Sequence, residues 1–128
     1  MSWQTYIDQS LLGSGHVSKA AIHGHDGNPW ATSAGFNVTQ EEAVAAFRGI
    51  ADPGPLTMSG IKLGGQKYMF LRNNDGRSVY GRKGGDAGCV VVKTGKAIVI
   101  GIYEGGLQAG ACANVVESLG DYLINAGF

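Results

Sequence analysis

Five aromatic residues carry the strongest chemical signal in this chain: Trp3 and Tyr6 near its start, Trp30 in an apolar run, and Tyr122 and Phe128 near its end. Chain ends tend toward disorder, so large aromatics there need a reason. Trp3 and Tyr6 have helical spacing, and Tyr122 falls in a C-terminal helical pattern. If the two terminal helices lie side by side and Trp30 joins them from a nearby strand, the rings form a platform. Such a surface suits proline-rich peptides, which adopt the polyproline II helix unaided, expose flat rings and lose little entropy on docking. Trp and Tyr add a polar N–H or O–H for a peptide carbonyl. The competing reading is that Trp3 and Tyr6 seal a small core.

Other chemistries find less support. Gly60 and Gly65 have phosphate-loop spacing, but Gln66 stands where lysine is required, and the context is strand to strand. His23 and His25 share a strand face without a third ligand, so no metal site is expected. Nothing fixes a nucleophile beside a base, and neither an enzyme nor a cofactor is expected. Cys89, in a Val-rich run, and Cys112, near the start of the last helix, form no CxxC and read as buried or half-buried free thiols in a reducing compartment.

The chain of 128 residues has zero net charge, but the average conceals a division. Between Gly60 and Ile100 lie Lys62, Lys67, Arg72, Arg77, Arg82, Lys83, Lys93 and Lys96 against only Asp75 and Asp86, a balance of +6. The remaining residues carry −6. This asymmetry predicts a basic face for an acidic partner, whether protein, anionic lipid headgroup or nucleic acid. Solvated strand edges that discourage aggregation are the alternative. No apolar run approaches the roughly 20 residues of a membrane helix, and Met1-Ser-Trp-Gln lacks the regions of a signal peptide. A cytosolic, soluble chain forming one domain over residues 1–128 is expected.

The elements that must position these residues follow from periodicity. A helix runs from the capping Ser2 to about Leu12 and ends at Gly13-Ser-Gly15. Val17 to His23 and Trp30 to Ser33 read as strands joined by the turn His25-Asp-Gly-Asn28. Thr39 and Glu42 have capping-box spacing ahead of a helix to about Ile50, and Asp52-Pro-Gly-Pro55 reads as a loop. Short β-rich runs follow at Ile61 to Leu63, Lys67 to Arg72, Ser78 to Arg82, Cys89 to Lys93 and Ala97 to Tyr103. They are separated by Gly64-Gly65, Asn74-Asp-Gly76, Gly84-Gly85 and Thr94-Gly95. Connections this short exclude parallel crossovers. A last helix, roughly Gln108 to Ala126, has an apolar stripe of Val115, Val116, Leu119, Tyr122, Leu123 and Ala126. The expected fold is α+β: a central antiparallel sheet of about six to seven strands, with N- and C-terminal helices packed together on one face and a further helix on the other.

Five blocks resemble profilin: Met1-Ser-Trp-Gln-Thr-Tyr-Ile-Asp, Trp30-Ala-Thr-Ser-Ala-Gly, Leu63-Gly-Gly-Gln-Lys-Tyr, Val92-Lys-Thr-Gly-Lys-Ala and Asn114-Val-Val-Glu-Ser-Leu-Gly-Asp-Tyr-Leu. They span the chain in the expected order. The resemblance implies a small protein that binds monomeric actin 1:1, promotes nucleotide exchange on it, and regulates its polymerisation. It further implies proline-rich partners such as formins, and phosphatidylinositol phosphates at the inner membrane surface. Localisation would be cytoplasmic and cytoskeleton-associated.

Carried onto this chain, the family's poly-proline site matches Trp3, Tyr6, Trp30 and Tyr122, with Phe128 beside them. In some relatives His stands at the position of Tyr122. The actin-facing surface matches Lys67, Met69, Arg72, Arg82, Lys83, Lys93, Lys96, Asn114 and Glu117, on the basic segment found from charge. Its rim charges should act on association rate and salt dependence more than on affinity. Phosphoinositides would use Arg72, Arg82, Lys83, Lys93 and Lys96, each cation near an anionic leaflet contributing on the order of 1 kcal/mol. Lipid and actin would then compete. A basic β-sheet nucleic-acid module, stacking bases on Tyr68, Phe70 and Tyr80, is the alternative function; it leaves the aromatic termini unexplained, so no nucleic-acid partner is expected. A light-chain-like scaffold, binding neither actin nor proline peptides, leaves them equally unexplained.

Overall fold

Alternation along the strands dictates two cores. In the computed structural model, which describes residues 2–84 and 86–128, Ile98, Ile100 and Ile102 face one side of the sheet while Ala97, Val99 and Tyr103 face the other. Of the expected Gly84-Gly85 turn, Gly85 lies outside the described residues, as does Met1 of the N-terminal block.

The strands are β1 (Lys19–Gly24), β2 (Pro29–Thr32), β3 (Ile61–Leu63), β4 (Gln66–Asn74), β5 (Ser78–Lys83), β6 (Ala87–Lys93) and β7 (Ala97–Tyr103). They form one sheet in the order β2-β1-β7-β6-β5-β4-β3, with every pair antiparallel. The chain leaves at the β2 edge, crosses one face as α2 (Gln40–Ala51) and α3 (Gly54–Ser59), and re-enters at the β3 edge. The first core lies under that crossing, where Ala43, Ala46, Ile50 and Leu56 meet Val79, Cys89, Val91 and the three β7 isoleucines. On the opposite face, Ile7, Leu11, Cys112, Val116, Leu119 and Leu123 of the terminal helices cover Ile22, Val90, Val92 and Val99. The architecture is the α+β arrangement expected from the sequence.

Two segments depart from the expected pattern. The N-terminal helix is regular only over α1 (Trp3–Thr5). It continues as a wider turn over Tyr6–Leu11, where the Leu12 N–H reaches the Ile7 carbonyl, and closes with a tight turn over Leu12–Ser14. The widened turn lets Ile7 and Leu11 both sit fully buried on the sheet while Trp3 and Tyr6 reach sideways to other rings. The stretch expected as a loop at Asp52-Pro-Gly-Pro55 instead opens α3. Pro53 is its cap and Pro55 lies in its first turn, where a missing N–H costs nothing.

The capping box predicted for α2 is present: Thr39 Oγ1 accepts from Glu42 N–H at 3.1 Å, and Glu42 Oε1 accepts from Thr39 N–H at 3.0 Å. The same carboxylate takes the N–H groups of Gly64 and Gly65 at 2.9 and 3.1 Å, tying α2 to the β3–β4 turn. Helix α4 (Ala109–Asn125) lies close on β6 and β7 because Gly101 lacks a side chain; a Cβ there would sit 2.5 Å from Val116 Cγ2.

Candidate functional site

The five aromatic residues come together. Trp3 is at the centre, with ring centroids 5.6 Å from Tyr6, 4.8 Å from Trp30 and 5.1 Å from Phe128. Tyr6 continues the row to Tyr122 at 6.0 Å. Trp3 and Tyr6 are half-buried against the terminal-helix core, whereas Trp30, Tyr122 and Phe128 are 38 %, 52 % and 38 % exposed. The core-sealing reading of Trp3 and Tyr6 is therefore half right: each packs inward on one side and offers the other to the row.

Backbone chemistry holds the row in place. Ser2 Oγ accepts from Thr5 N–H at 3.3 Å and starts the helix, and Gln4 Nε2 donates to the Thr32 carbonyl at 3.0 Å, fastening it beside Trp30. At the other end, Phe128 N–H donates to the Leu123 carbonyl at 2.8 Å. The Phe128 main-chain oxygen accepts from Thr94 Oγ1 at 2.8 Å and from the Lys96 N–H. The β6–β7 turn thus pins the last residue so that its ring meets Trp3 edge-on, at 79°. Gln4, Thr94 and the Lys96 backbone were not singled out from sequence; only the Thr94-Gly95 turn signal marked the place.

The platform carries donors and little charge. Burial and a hydrogen bond with the Tyr122 hydroxyl push the Tyr6 phenol upward, so it remains a neutral O–H. A groove of about 460 Å³ opens beside the two tyrosines, lined by Ser10, Asn114, Val115, Ser118 and Leu119 as well. Asn114 therefore belongs to the aromatic side of α4 and does not join the main group of cations.

The other proposed site residues divide. Lys67, Met69, Arg82 and Lys83 line one groove of about 370 Å³ between α3 and strands β4 and β5, with Leu56, Met58 and Phe70. Arg72 lies 4.5 Å over the Tyr80 ring, and Lys83 Nζ donates to Gln66 Oε1. Leu71, the residue inserted between two paired positions of β4, exposes 52 % of its surface next to them. Lys93 lies toward the other end of the sheet, where its N–H donates to the Arg77 carbonyl, and Lys96 sits beside Phe128. Strand β5 spans six residues, about 17 Å, between these two ends. The basic segment thus presents two cationic regions where charge alone suggested one face. Met58, at 89 % the most exposed large apolar side chain among the described residues, was not singled out from sequence.

Glu117 is engaged inside the molecule. Its carboxylate accepts from Arg77 Nε at 2.8 Å, Ser78 Oγ at 2.8 Å and the Tyr80 hydroxyl, and from Asn74 Nδ2 at 3.4 Å. Burial alone would raise its pKa; donors from Tyr80, Arg77 and Ser78 outweigh burial and hold it below the usual range. Arg77 also pairs with Asp121 at 2.9 Å. Glu117 therefore braces α4 against β5, and its charge is already matched.

The aromatics that base stacking would need are largely engaged inside the molecule. Tyr68 is buried, its phenol pushed by burial to about 12; Phe70 packs on the first core; and Tyr80 lies beneath Arg72 and against Glu117. The two histidines are likewise committed separately: His23 Nδ1 to the Gly27 carbonyl at 2.8 Å, His25 Nε2 to the Thr94 carbonyl at 2.9 Å with its ring stacked on Phe47 at 4.4 Å. Cys89 and Cys112 are buried free thiols. Among the described residues no helix is long and apolar enough to cross a membrane.

Residues 1–128 match the family model described as Profilin. Profilin-2 of Acanthamoeba castellanii is 52 % identical over 128 residues, covering 100 % of both chains. The crystal structure of Acanthamoeba castellanii profilin II superposes with a TM-score of 0.94 at 52 % identity, covering 99 % of this chain and 100 % of that one. Mouse profilin IIa, solved in complex with a double repeat from the FH1 domain of mDia1, superposes at 0.79 with 26 % identity over 100 % of both chains. Sequence, fold and an aromatic row built from both chain ends agree: the chain belongs to the profilin family.

Proposed function

We propose that this chain binds proline-rich segments on the Trp3–Tyr122 row and monomeric actin through the opposite, cation-bearing side, and so regulates actin polymerisation. The observation that carries the reading is the contact row itself: Trp30, Trp3, Tyr6 and Tyr122 in succession, spaced 4.8 to 6.0 Å. A polyproline II strand rises about 3.1 Å per residue, so successive rings fall roughly two residues apart along it. Polyproline offers carbonyl acceptors and no N–H, and the row answers with indole N–H and phenol O–H donors. The mouse relative holding FH1 repeats supports the same reading, and formin-like partners are the class it favours.

For actin, the support is the family and the groove of Lys67, Met69, Arg82 and Lys83, which suits an acidic protein surface. Promotion of nucleotide exchange would act on actin's own nucleotide, with no catalytic side chain from this chain. Phosphoinositides would engage Arg72, Arg82 and Lys83 at one end and Lys93 and Lys96 at the other, competing with actin for the first group. Cytoplasmic, cytoskeleton-associated localisation follows from that reading, with one functional unit over residues 1–128.

The test is intrinsic fluorescence during titration with poly-L-proline. Trp3 and Trp30 are the only tryptophans and both lie in the row, so binding reports itself directly. A saturable change that is weakened in Trp30→Ala and in Trp3→Ala supports the reading. No response at high peptide concentration overturns it. A vesicle cosedimentation in which actin and phosphoinositide bind together at full affinity would overturn the competition.

A further inference from the structure

Among the described residues, the sulfur atoms divide sharply by exposure. Cys89 and Cys112 are fully buried, and burial raises both thiol pKa values, that of Cys112 to about 12. At neutral pH neither offers the thiolate that would attack a peroxide. Met58 and Met69, by contrast, are 89 % and 65 % exposed. A thioether needs no deprotonation to react. The two methionines come from different elements, α3 and β4, yet line the same groove, whose apolar lining includes Leu56 and Phe70 and whose cations are Lys67, Arg82 and Lys83.

We propose that Met58 and Met69 form a paired oxidation site, and that hydroperoxides acting there weaken docking of an acidic protein partner in this groove. The docking half rests on the actin reading above; the oxidation half does not. In the chemical step a sulfur lone pair attacks one peroxide oxygen. The O–O bond breaks as the S–O bond forms, and a proton shift releases water from hydrogen peroxide or an alcohol from an organic hydroperoxide. Sulfur loses two electrons and the peroxide gains them. Each event turns a flexible apolar side chain into a polar, chiral sulfoxide at a spot where a partner would bury it. Methionine sulfoxide reductases reverse the step.

The geometry also explains why the effect should be local. Neither methionine belongs to either buried core, so oxidation leaves the fold and the aromatic row intact. Both flank cations that would draw an acidic surface toward the groove, so the change falls where contact would occur.

The experiment treats the folded protein with dilute hydrogen peroxide and maps the products by peptide mass analysis. One added oxygen on each of Met58 and Met69 is expected, with Cys89 and Cys112 unmodified until the chain is denatured. Oxidation of the cysteines ahead of these methionines overturns the site. Binding of monomeric actin is then measured before and after treatment. A loss on the order of tenfold is expected, the size of one good interface contact, with recovery after methionine sulfoxide reductase. The Met58→Leu/Met69→Leu protein is compared with itself before and after peroxide, and its ratio should stay near one. Unchanged affinity in the oxidised parent, or an equal loss in the double variant, overturns the docking half. An untreated protein that ignores actin overturns the actin reading instead, while the oxidation map stands or falls separately. The poly-L-proline response should survive treatment; its loss would mean general damage and would also overturn the proposal.

Discussion

The Phe128 ring meets the Trp3 ring edge-on, 5.1 Å apart and 79° inclined, so the last residue supports the side chain at the centre of the aromatic row. The support is indirect, because Thr94 Oγ1 donates to the Phe128 oxygen at 2.8 Å from a buried position in the β6–β7 turn. Thr94→Val keeps side-chain volume but removes that donor and also the acceptor of the Ala97 N–H at 2.9 Å. Loss of one such bond costs about 1 kcal/mol, and Phe128 should move away from Trp3. The expected result is a few-fold weaker poly-L-proline response and a red-shifted tryptophan emission, from a residue that is not itself part of the aromatic row. An unchanged emission maximum would show that Phe128 holds its place without Thr94.

Trp3 and Trp30 should differ in what their removal costs. Trp3 contacts three rings and packs on the terminal-helix core, whereas Trp30 is 38 % exposed and its ring stands at the sheet edge. Trp3→Ala should cost about 2 kcal/mol of stability, below the range for a fully buried aromatic. Trp30→Ala should cost under about 1 kcal/mol while removing comparable ligand response. Urea midpoints beside titrations separate the two roles.

Much of this was legible because each signal was local. The capping box at Thr39, the apolar stripe of α4 and the Gly-punctuated strands required no knowledge of distant residues. The aromatic row was legible because Trp and Tyr at chain ends have few other uses. What escaped depends on pairing across the fold. The engagement of Glu117 follows from the register that brings Ser78 and Tyr80 under α4, and no spacing in the sequence encodes it. The separation of Lys93 from Lys83 likewise follows from antiparallel register, which carries neighbours in charge count to opposite ends of a strand. Met58 escaped because a stretch with two prolines reads as a loop, whereas Pro53 caps α3, Pro55 fits its first turn and Leu56 packs against Gly49.

Glu117→Gln tests the brace directly. The carboxylate is 19 % exposed and held below its ordinary pKa of 4.5 in the folded protein. The unfolded chain therefore takes up the proton first as pH falls. The stabilisation is fully present above about pH 4.5 and is lost progressively as pH drops through the folded value. At neutral pH the variant should be less stable by about 1–3 kcal/mol, the range for hydrogen bonds to a charged group. Thermal melts from pH 7 to pH 3 should show the parent converging on the variant.

His23 predicts a second pH effect of the same sign in a higher window. The ring is completely buried; Nδ1–H donates to the Gly27 carbonyl, and Nε2 has no hydrogen-bond partner among the described residues. Desolvation lowers its pKa from 6.5, against smaller opposing effects of Gly27 and Glu42. The unfolded chain then binds protons that the folded one refuses, so stability declines once pH falls below about 6.5. A His23→Leu protein gives up the Gly27 bond and starts less stable, but its stability should be flat between pH 7 and pH 5. An equal slope in both proteins would assign the effect elsewhere.

Gly49→Ala should separate α3 from α2. A Cβ at Gly49 would stand 2.2 Å from Leu56 Cδ1 and 2.4 Å from Leu56 Cγ, too close for Leu56 to stay where it is. Either Leu56 leaves its buried site or the whole of α3 shifts outward. Overpacking of this kind costs about 1–3 kcal/mol, although alanine is the better helix former and would otherwise stabilise α2 by up to about 1 kcal/mol. The net effect should therefore be destabilising. Its functional signature should be confined to one side: α3 carries Met58 into the cationic groove, so actin binding should weaken. The poly-L-proline response, built on the opposite face, should not change. Equal losses on both sides would mean that the two faces are coupled through the sheet, and a variant as stable as the parent would show that α3 floats free of the core.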